Sequence, residues 1–180
     1  MDPLEIISKY YSPETDVYRI LVSHSRDVAD KALMIARAHP EMQLDEQFIE
    51  EAAMVHDIGI YLCDAREIGC NGSYPYICHG YLGAELMCRE GYPRHALVCE
   101  RHTGTGITME DIEQQQLPLP HRDMMPLTPE EKIVCLADKF FSKTKLGVEK
   151  SVNKVRQSLF RYGADNVQRF DEWHKLFLSD

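Results

Sequence analysis

Ala53-Met54-Val55-His56-Asp57-Ile58-Gly59 decides the fold. The apolar positions Phe48, Ile49, Ala52 and Ala53 recur at helical spacing and run straight into His56, so a side chain that titrates near neutrality points where a core leucine belongs. Asp57 follows it inward. Burying an unpaired charge costs on the order of several kcal/mol, so the two polar groups at the end of one apolar stripe need a shared partner. A metal ion supplies one.

Working outward toward the N-terminus, Pro40 ends one helix and Asp45 caps the helix that carries His56. Before Pro40, Ser12-Pro13-Glu14 predicts a helix start, and Val17, Ile20, Leu21, Val28, Ala32 and Ile35 mark its inward face to about Ala38, in keeping with a 3.6-residue period. His24 sits in the middle of that face. A short amphipathic helix with Leu4, Ile6 and Ile7 precedes it.

Toward the C-terminus, Cys63 to Pro75 lacks any helical period and reads as a loop, either an inert connection or a cover for a substrate. A helix from Tyr76 to Glu90 carries His79, Leu82, Gly83 and Leu86 on one side. Pro93 opens the next, with His95, Val98, Cys99 and His102 spaced three or four apart before Thr103-Gly104-Thr105-Gly106 breaks it. Thr108-Met109-Glu110-Asp111 and Thr128-Pro129-Glu130-Glu131 have the form of capping boxes. The second launches a helix to about Thr144 with Asp138 among Val134, Ala137 and Phe141. Leu117-Pro118-Leu119-Pro120 reads as an extended strap, and Val148 to Asp180 as two amphipathic helices parted near Gly163. His95 fits a solvent-facing or structural role, His121 a solvated position in the strap loop, and His174 a surface one. No strand stands out, so the chain reads as all-α.

The totals agree. With 180 residues, 44% hydrophobic and 27% charged, the chain can bury a core of its own as a single domain. Six cysteines without a C-x-x-C pair read as reduced core residues. A net charge of -9 argues against a general nucleic-acid binder, and neither a leader nor a membrane span is recognisable, which reads as a cytoplasmic protein. Nothing in the sequence sets the oligomeric state.

His24, His56 with Asp57, His79, His102 and Asp138 each place a metal-competent group on an apolar stripe. Gaps of 32, 22, 23 and 36 residues separate 24 from 56, 57 from 79, 79 from 102 and 102 from 138, so the site has to be assembled by the fold. Imidazole and carboxylate without thiolate favour iron(II), manganese, cobalt or magnesium over a closed zinc site, and the six ligands suffice for one or two ions with Asp57 bridging.

In order and helical context, His24, His56-Asp57-Ile58-Gly59 and Ala137-Asp138 resemble the HD superfamily of metal-dependent phosphohydrolases, in its HDIG type. His79 and His102 resemble the two-metal branch, and Arg101-His102-Thr103-Gly104 is more similar to the dinucleoside-polyphosphate hydrolases than to the cyclic-dinucleotide enzymes, whose Gly-Tyr-Pro signature is absent. The resemblance implies a helical HD-domain bundle over residues 1–180, with a core of about 20–145, a C-terminal helical extension over 146–180 and flanking N- and C-terminal helices. It implies hydrolysis of a phosphate ester or anhydride of a small molecule, a nucleotide, by metal-bound hydroxide. His24, His56, Asp57, His79, His102 and Asp138 would be the metal ligands, and Asp57 also catalytic. Arg26, Arg101, Thr103 and Lys139 would contact the substrate. Two other readings share the ligand set: a di-iron HD-type oxygenase and a non-catalytic nucleotide-binding sensor.

Overall fold

In the computed structural model, which describes residues 1–179, the long helix α2 (Asp16–Ala38) packs against the helices that carry His56 and Asp138. Its buried side carries Leu21, Val28, Ala29, Ala32 and Ile35, and His24 lies in the same row. The helix starts at Thr15, whose side chain accepts from the Tyr18 amide, rather than at Ser12. Ser12 instead closes a turn, its carbonyl accepting from Thr15, so the Ser-Pro-Glu signal was spent on a turn that precedes the helix.

Helix α1 (Pro3–Ser8) packs on α3 (Glu46–Val55), which lies along α2. A 3-10 turn over Ile58–Leu62 leads into a minimal antiparallel pair, β1 (Asp64–Ala65) with β2 (Cys70–Asn71), where the sequence predicted only loop. A second 3-10 turn, Tyr76–Cys78, enters α4 (His79–Arg89), which forms a hairpin with α5 (Pro93–Arg101). The short α6 (Met109–Gln114) has the expected reciprocal capping box between Thr108 and Asp111. Helix α7 (Pro129–Lys139) crosses α2 and stops five residues before the expected Thr144; α8 (Val152–Phe160) and α9 (Ala164–Phe177) follow. At α7 only half of the second capping box forms. Thr128 caps the Glu131 amide, but the Glu131 carboxylate turns to Arg101 and to the Leu127 amide.

The fold is all-α apart from that two-residue pair. One apolar cluster runs from Ile6 and Ile7 of α1 through Val28, Ile49, Ala53, Ile133 and Val134 to Phe170 and Phe177 of α9. Each fully buried Ile, Leu or Phe contributes about 1.5–3 kcal/mol, which sustains a bundle that also buries several polar ligands. A smaller cluster of Cys63, Cys78, Leu82, Ile112, Leu119 and Met124 includes Leu119 of the proline strap. All six cysteines are free, Cys88 alone of them exposed.

Gly59 fixes how the end of α3 meets α4. A Cβ there would lie 2.2 Å from the His79 carbonyl oxygen and 2.5 Å from the Gly83 amide nitrogen, and backbone cannot yield as a side-chain tip can. The absent side chain therefore lets two metal-competent segments, His56-Asp57 and His79, approach each other. Gly59→Ala is expected to cost about 3 kcal/mol, the upper end for overpacking, measured by chemical denaturation. A cost below 1 kcal/mol would mean that the close approach is not what sets this packing.

Candidate metal centre

Each candidate ligand is placed by a helix or its end. His24 projects from the middle of α2, His56 caps the C-terminus of α3, His79 opens α4, His102 caps α5, and Asp138 lies in the last turn of α7. Asp57 follows where the chain leaves α3, at φ -100° and ψ 9°. Three of the four imidazoles are oriented by one local device. Nδ1–H of His56 donates to the Ala53 carbonyl at 2.6 Å, that of His79 to Tyr76 at 2.7 Å and that of His102 to Cys99 at 2.8 Å, each three residues back. A carbonyl only accepts, so Nδ1 carries a proton in each ring and Nε2 is the nitrogen turned to the centre.

The Nε2 atoms converge on Asp57, which has no exposed surface. Its Oδ2 lies 3.0 Å from His56 Nε2 and 3.3 Å from His24 Nε2, and its Oδ1 lies 3.4 Å from both His79 Nε2 and His102 Nε2. Asp138 Oδ1 adds a second carboxylate to the first side, 3.0 Å from His24 Nε2 and 3.4 Å from His56 Nε2. The six residues thus divide into two overlapping sets, His24, His56, Asp57 and Asp138 on one side, and Asp57, His79 and His102 on the other. Asp57 belongs to both, one oxygen to each.

A divalent cation fits what is otherwise unsatisfied. Neither Asp57 oxygen nor His56 Nε2 makes a well-directed hydrogen bond, although buried polar groups ordinarily find one. Nε2 of His79 and Nε2 of His102 stand 3.0 Å apart, both with Nδ1 already protonated, so two lone pairs face each other. His79 and His102 would both hold a cation there, which would turn that repulsion into coordination. The oxygen and nitrogen donors suit a divalent metal of intermediate hardness.

Charge is arranged accordingly. Burial pushes His56 down, but Asp57 and Asp138 outweigh it and raise the imidazole to about 9. Burial and the neighbouring His102 push His79 down to about 3, and burial lowers His102 as well. Burial pushes both carboxyls up, yet His56 and Lys143 hold Asp57, and Lys139 and His24 hold Asp138, well below the usual range.

A cavity of about 530 Å³ opens on the centre, lined by His24, His79, His102 and Asp138 at one end. Of the residues expected to contact substrate, Thr103 and Lys139 line it. Lys139 Nζ lies 2.8 Å from Asp138 Oδ2 and donates to the His102 carbonyl at 2.9 Å, so the Asp138–Lys139 pair is part of the centre and not a surface ion pair. Arg26 and Arg101 are corrections: neither lines the cavity. Arg26 lies on the outer side of α2, paired at 2.7 Å with Glu50, and Arg101 turns from its neighbour His102 to Glu131, 2.8 Å away. Side chains one or two positions from an inward residue leave the helix on other faces. The segment 63–75 also stays clear of the cavity, and His95, expected to face solvent or serve structurally, is a buried partner of Glu51 at 3.0 Å.

Sequence reasoning missed Lys143, Tyr76 and Asn166. Lys143 Nζ is 2.6 Å from Asp57 Oδ2, and the Tyr76 ring lies 4.7 Å from that of His79. Asn166 of α9 accepts through Oδ1 from the Thr105 amide and hydroxyl, and a Cβ on Gly104, at φ +59°, would stand 2.8 Å from that oxygen. The final helix thereby holds the turn that follows His102. A lysine beyond the helix end and an asparagine 64 residues after His102 carried no pattern that could have flagged them.

Residues 21–142 match the HD domain family. The chain belongs to it. The matched HD stretch contains all six candidate ligand positions and leaves α8 and α9 outside. Over 128 residues the chain is 36% identical to an uncharacterised protein of Methanocaldococcus jannaschii, covering 69% of this chain and 68% of that one. It is 30% identical over 178 residues to a tRNA (cytidine(56)-2'-O)-methyltransferase of Thermoplasma volcanium, covering 98% of this chain and 45% of the enzyme. A protein of the same name from Picrophilus torridus is 34% identical over 128 residues, covering 71% and 33%. The chain therefore spans less than half the length of the two methyltransferases it matches. Among solved structures, the HD domain of the L. monocytogenes phosphodiesterase PgpH superposes with a TM-score of 0.53, and its complex with cyclic-di-AMP with 0.54. Both cover 96% of this chain and 94% of that domain at 15% and 14% identity, a likeness of fold.

Two outcomes follow for the HD centre. His79→Ala should leave one bound manganese per chain by elemental analysis, and Asp57→Ala none; two ions in either variant would contradict the shared-carboxylate geometry. The raised His56 contributes stability to the metal-free protein that is present below its ordinary 6.5 and is lost as pH rises through about 9. Metal needs that nitrogen unprotonated, so the gain in Tm on adding manganese should grow from pH 6.5 to 9. A gain that is flat across this window would exclude proton competition at His56.

Proposed function

We propose that the protein is a metal-dependent phosphohydrolase acting on a phosphate ester or anhydride of a small molecule, a nucleotide in particular. The observation that carries this reading is Asp57, with one oxygen facing His24 and His56 and the other facing His79 and His102. Divalent ions held there would supply a hydroxide nucleophile near neutral pH and neutralise phosphoryl oxygens.

The rest of the cavity supports the substrate class. It is lined as well by Ile77, Ile107, Leu117, Phe141, Leu159 and Tyr162, which suits a flat or apolar body such as a nucleoside. Thr103, at the turn after His102, offers a hydroxyl donor, and Lys139 a positive charge near the phosphate end. Asp57 orients the nucleophile as well as serving as ligand. That the PgpH domain was solved with cyclic-di-AMP supports a nucleotide ligand on this fold. The name of the longer relatives describes methyl transfer to tRNA; a net charge of -9 favours a small substrate over tRNA for this chain. No helix among the described residues is long and apolar enough to cross a membrane.

The test is a panel of nucleotides and simple phosphate esters offered under nitrogen to protein loaded with manganese, iron or cobalt. Phosphate release is expected without oxygen. His56→Ala and Asp57→Ala should each lower it by more than the roughly 10–100-fold that loss of an outer-shell partner costs, with helical circular dichroism retained. Oxygen consumption coupled to substrate cleavage would favour the di-iron oxygenase instead. Tight nucleotide binding with no release from any compound would favour the sensor.

A further inference from the structure

Three lysines line the cavity, and they are held differently. Lys150 Nζ donates to the carbonyls of Phe141, at 2.7 Å, and Lys139, at 3.2 Å, which ties down the chain just past α7. Lys139 is fixed by the His102 carbonyl and by Asp138. Lys143 has no backbone-carbonyl anchor among the described residues, and its side-chain neighbours are Asp57 and the Tyr76 hydroxyl. Its ammonium lies 2.6 Å from Asp57 Oδ2, yet the approach does not align either Asp57 oxygen in a proper hydrogen bond. It stands in the irregular segment between α7 and α8, at the end of a flexible four-carbon stem.

Asp57 Oδ2 is therefore claimed twice. It is the oxygen that His24 and His56 frame as a metal ligand, and it is the oxygen that Lys143 neutralises. An ammonium and a divalent cation repel each other, and one carboxylate oxygen at the centre of two imidazoles has no room for both on equal terms. The side chain that yields is the one no backbone carbonyl holds, and the space beside it is the cavity.

We propose that Lys143 is a displaceable counter-ion: it neutralises Asp57 until a divalent cation takes Oδ2, and its ammonium then turns into the cavity and binds the phosphate of the substrate. The inference rests on the phosphohydrolase reading for the identity of the anion, and adds a group that exchanges one negative partner for another. Such an exchange keeps a buried carboxylate paired before metal arrives, and delivers positive charge to the phosphate only after the metal is in place.

The test uses the full chain with Lys143→Met and Lys143→Arg. Manganese binding to metal-free protein and inorganic phosphate binding to manganese-loaded protein are measured by calorimetry. Lys143→Met should bind manganese about tenfold more tightly and phosphate about tenfold more weakly, the scale of one lost charged hydrogen bond. Lys143→Arg should recover most of the phosphate binding. In the wild-type protein, the Lys143 15Nζ resonance should shift on adding magnesium, a readout that holds if a variant fails to fold. Unchanged or weaker manganese binding in folded Lys143→Met would overturn the proposal, as would tighter manganese binding with phosphate binding intact, or a 15Nζ resonance insensitive to magnesium. If these shifts appear but no ester releases phosphate, hydrolysis falls and the role of Lys143 stands. Hydrolysis with unaltered manganese affinity gives the reverse result.

Discussion

The whole arrangement depends on one buried carboxylate, Asp57, neither of whose oxygens makes a well-directed hydrogen bond within the protein. Asp57 has no contact with solvent, and four imidazoles close on it from two sides. An ionised group in that position is costly unless opposite charge reaches it. The bundle answers with convergence: α2 and α3 bring one pair of imidazoles, and the α4–α5 hairpin brings the other. Each of three rings is turned by a carbonyl of its own helical turn, so orientation is settled locally and only position is left to tertiary packing.

This division explains why the centre was legible in the sequence. His24 on the inward row of α2, and His56 at the end of the Phe48–Ala53 stripe, are read directly from helical period, because the same period dictates which side is buried. The match of residues 21–142 to the HD domain family agrees with that reading. Charge partners were less legible. Arg26 and Arg101 are near ligands in sequence, but the angular step of a helix sends them to Glu50 and Glu131. Lys143 is five residues beyond Asp138, past the end of α7, where no periodic rule places a side chain. Helix α7 stops at Lys139, which leaves Lys143 on the irregular segment that follows.

The part of the chain outside the family match also shapes the site. Val155, Leu159 and Tyr162 give the cavity an apolar wall, and Asn166 with Arg169 grips Thr105. From below, Cys135 and Lys139 hold the His102 carbonyl. The turn Thr103–Gly106 is thus clamped between α7 and α9, and the candidate ligand His102 is steadied by residues more than 60 positions away. Preorganisation of this kind lets a polar centre persist in an apolar bundle, because the ligands lose little further freedom when a cation arrives.

Crystals grown with manganese, and diffraction data collected at wavelengths on either side of its absorption edge, test the central claim most directly. The account predicts two anomalous peaks, one beside each oxygen of Asp57, the first met by Nε2 of His24 and His56 with Asp138, the second by Nε2 of His79 and His102. A centre without anomalous signal, its imidazoles bonded only to water and to one another, would contradict it.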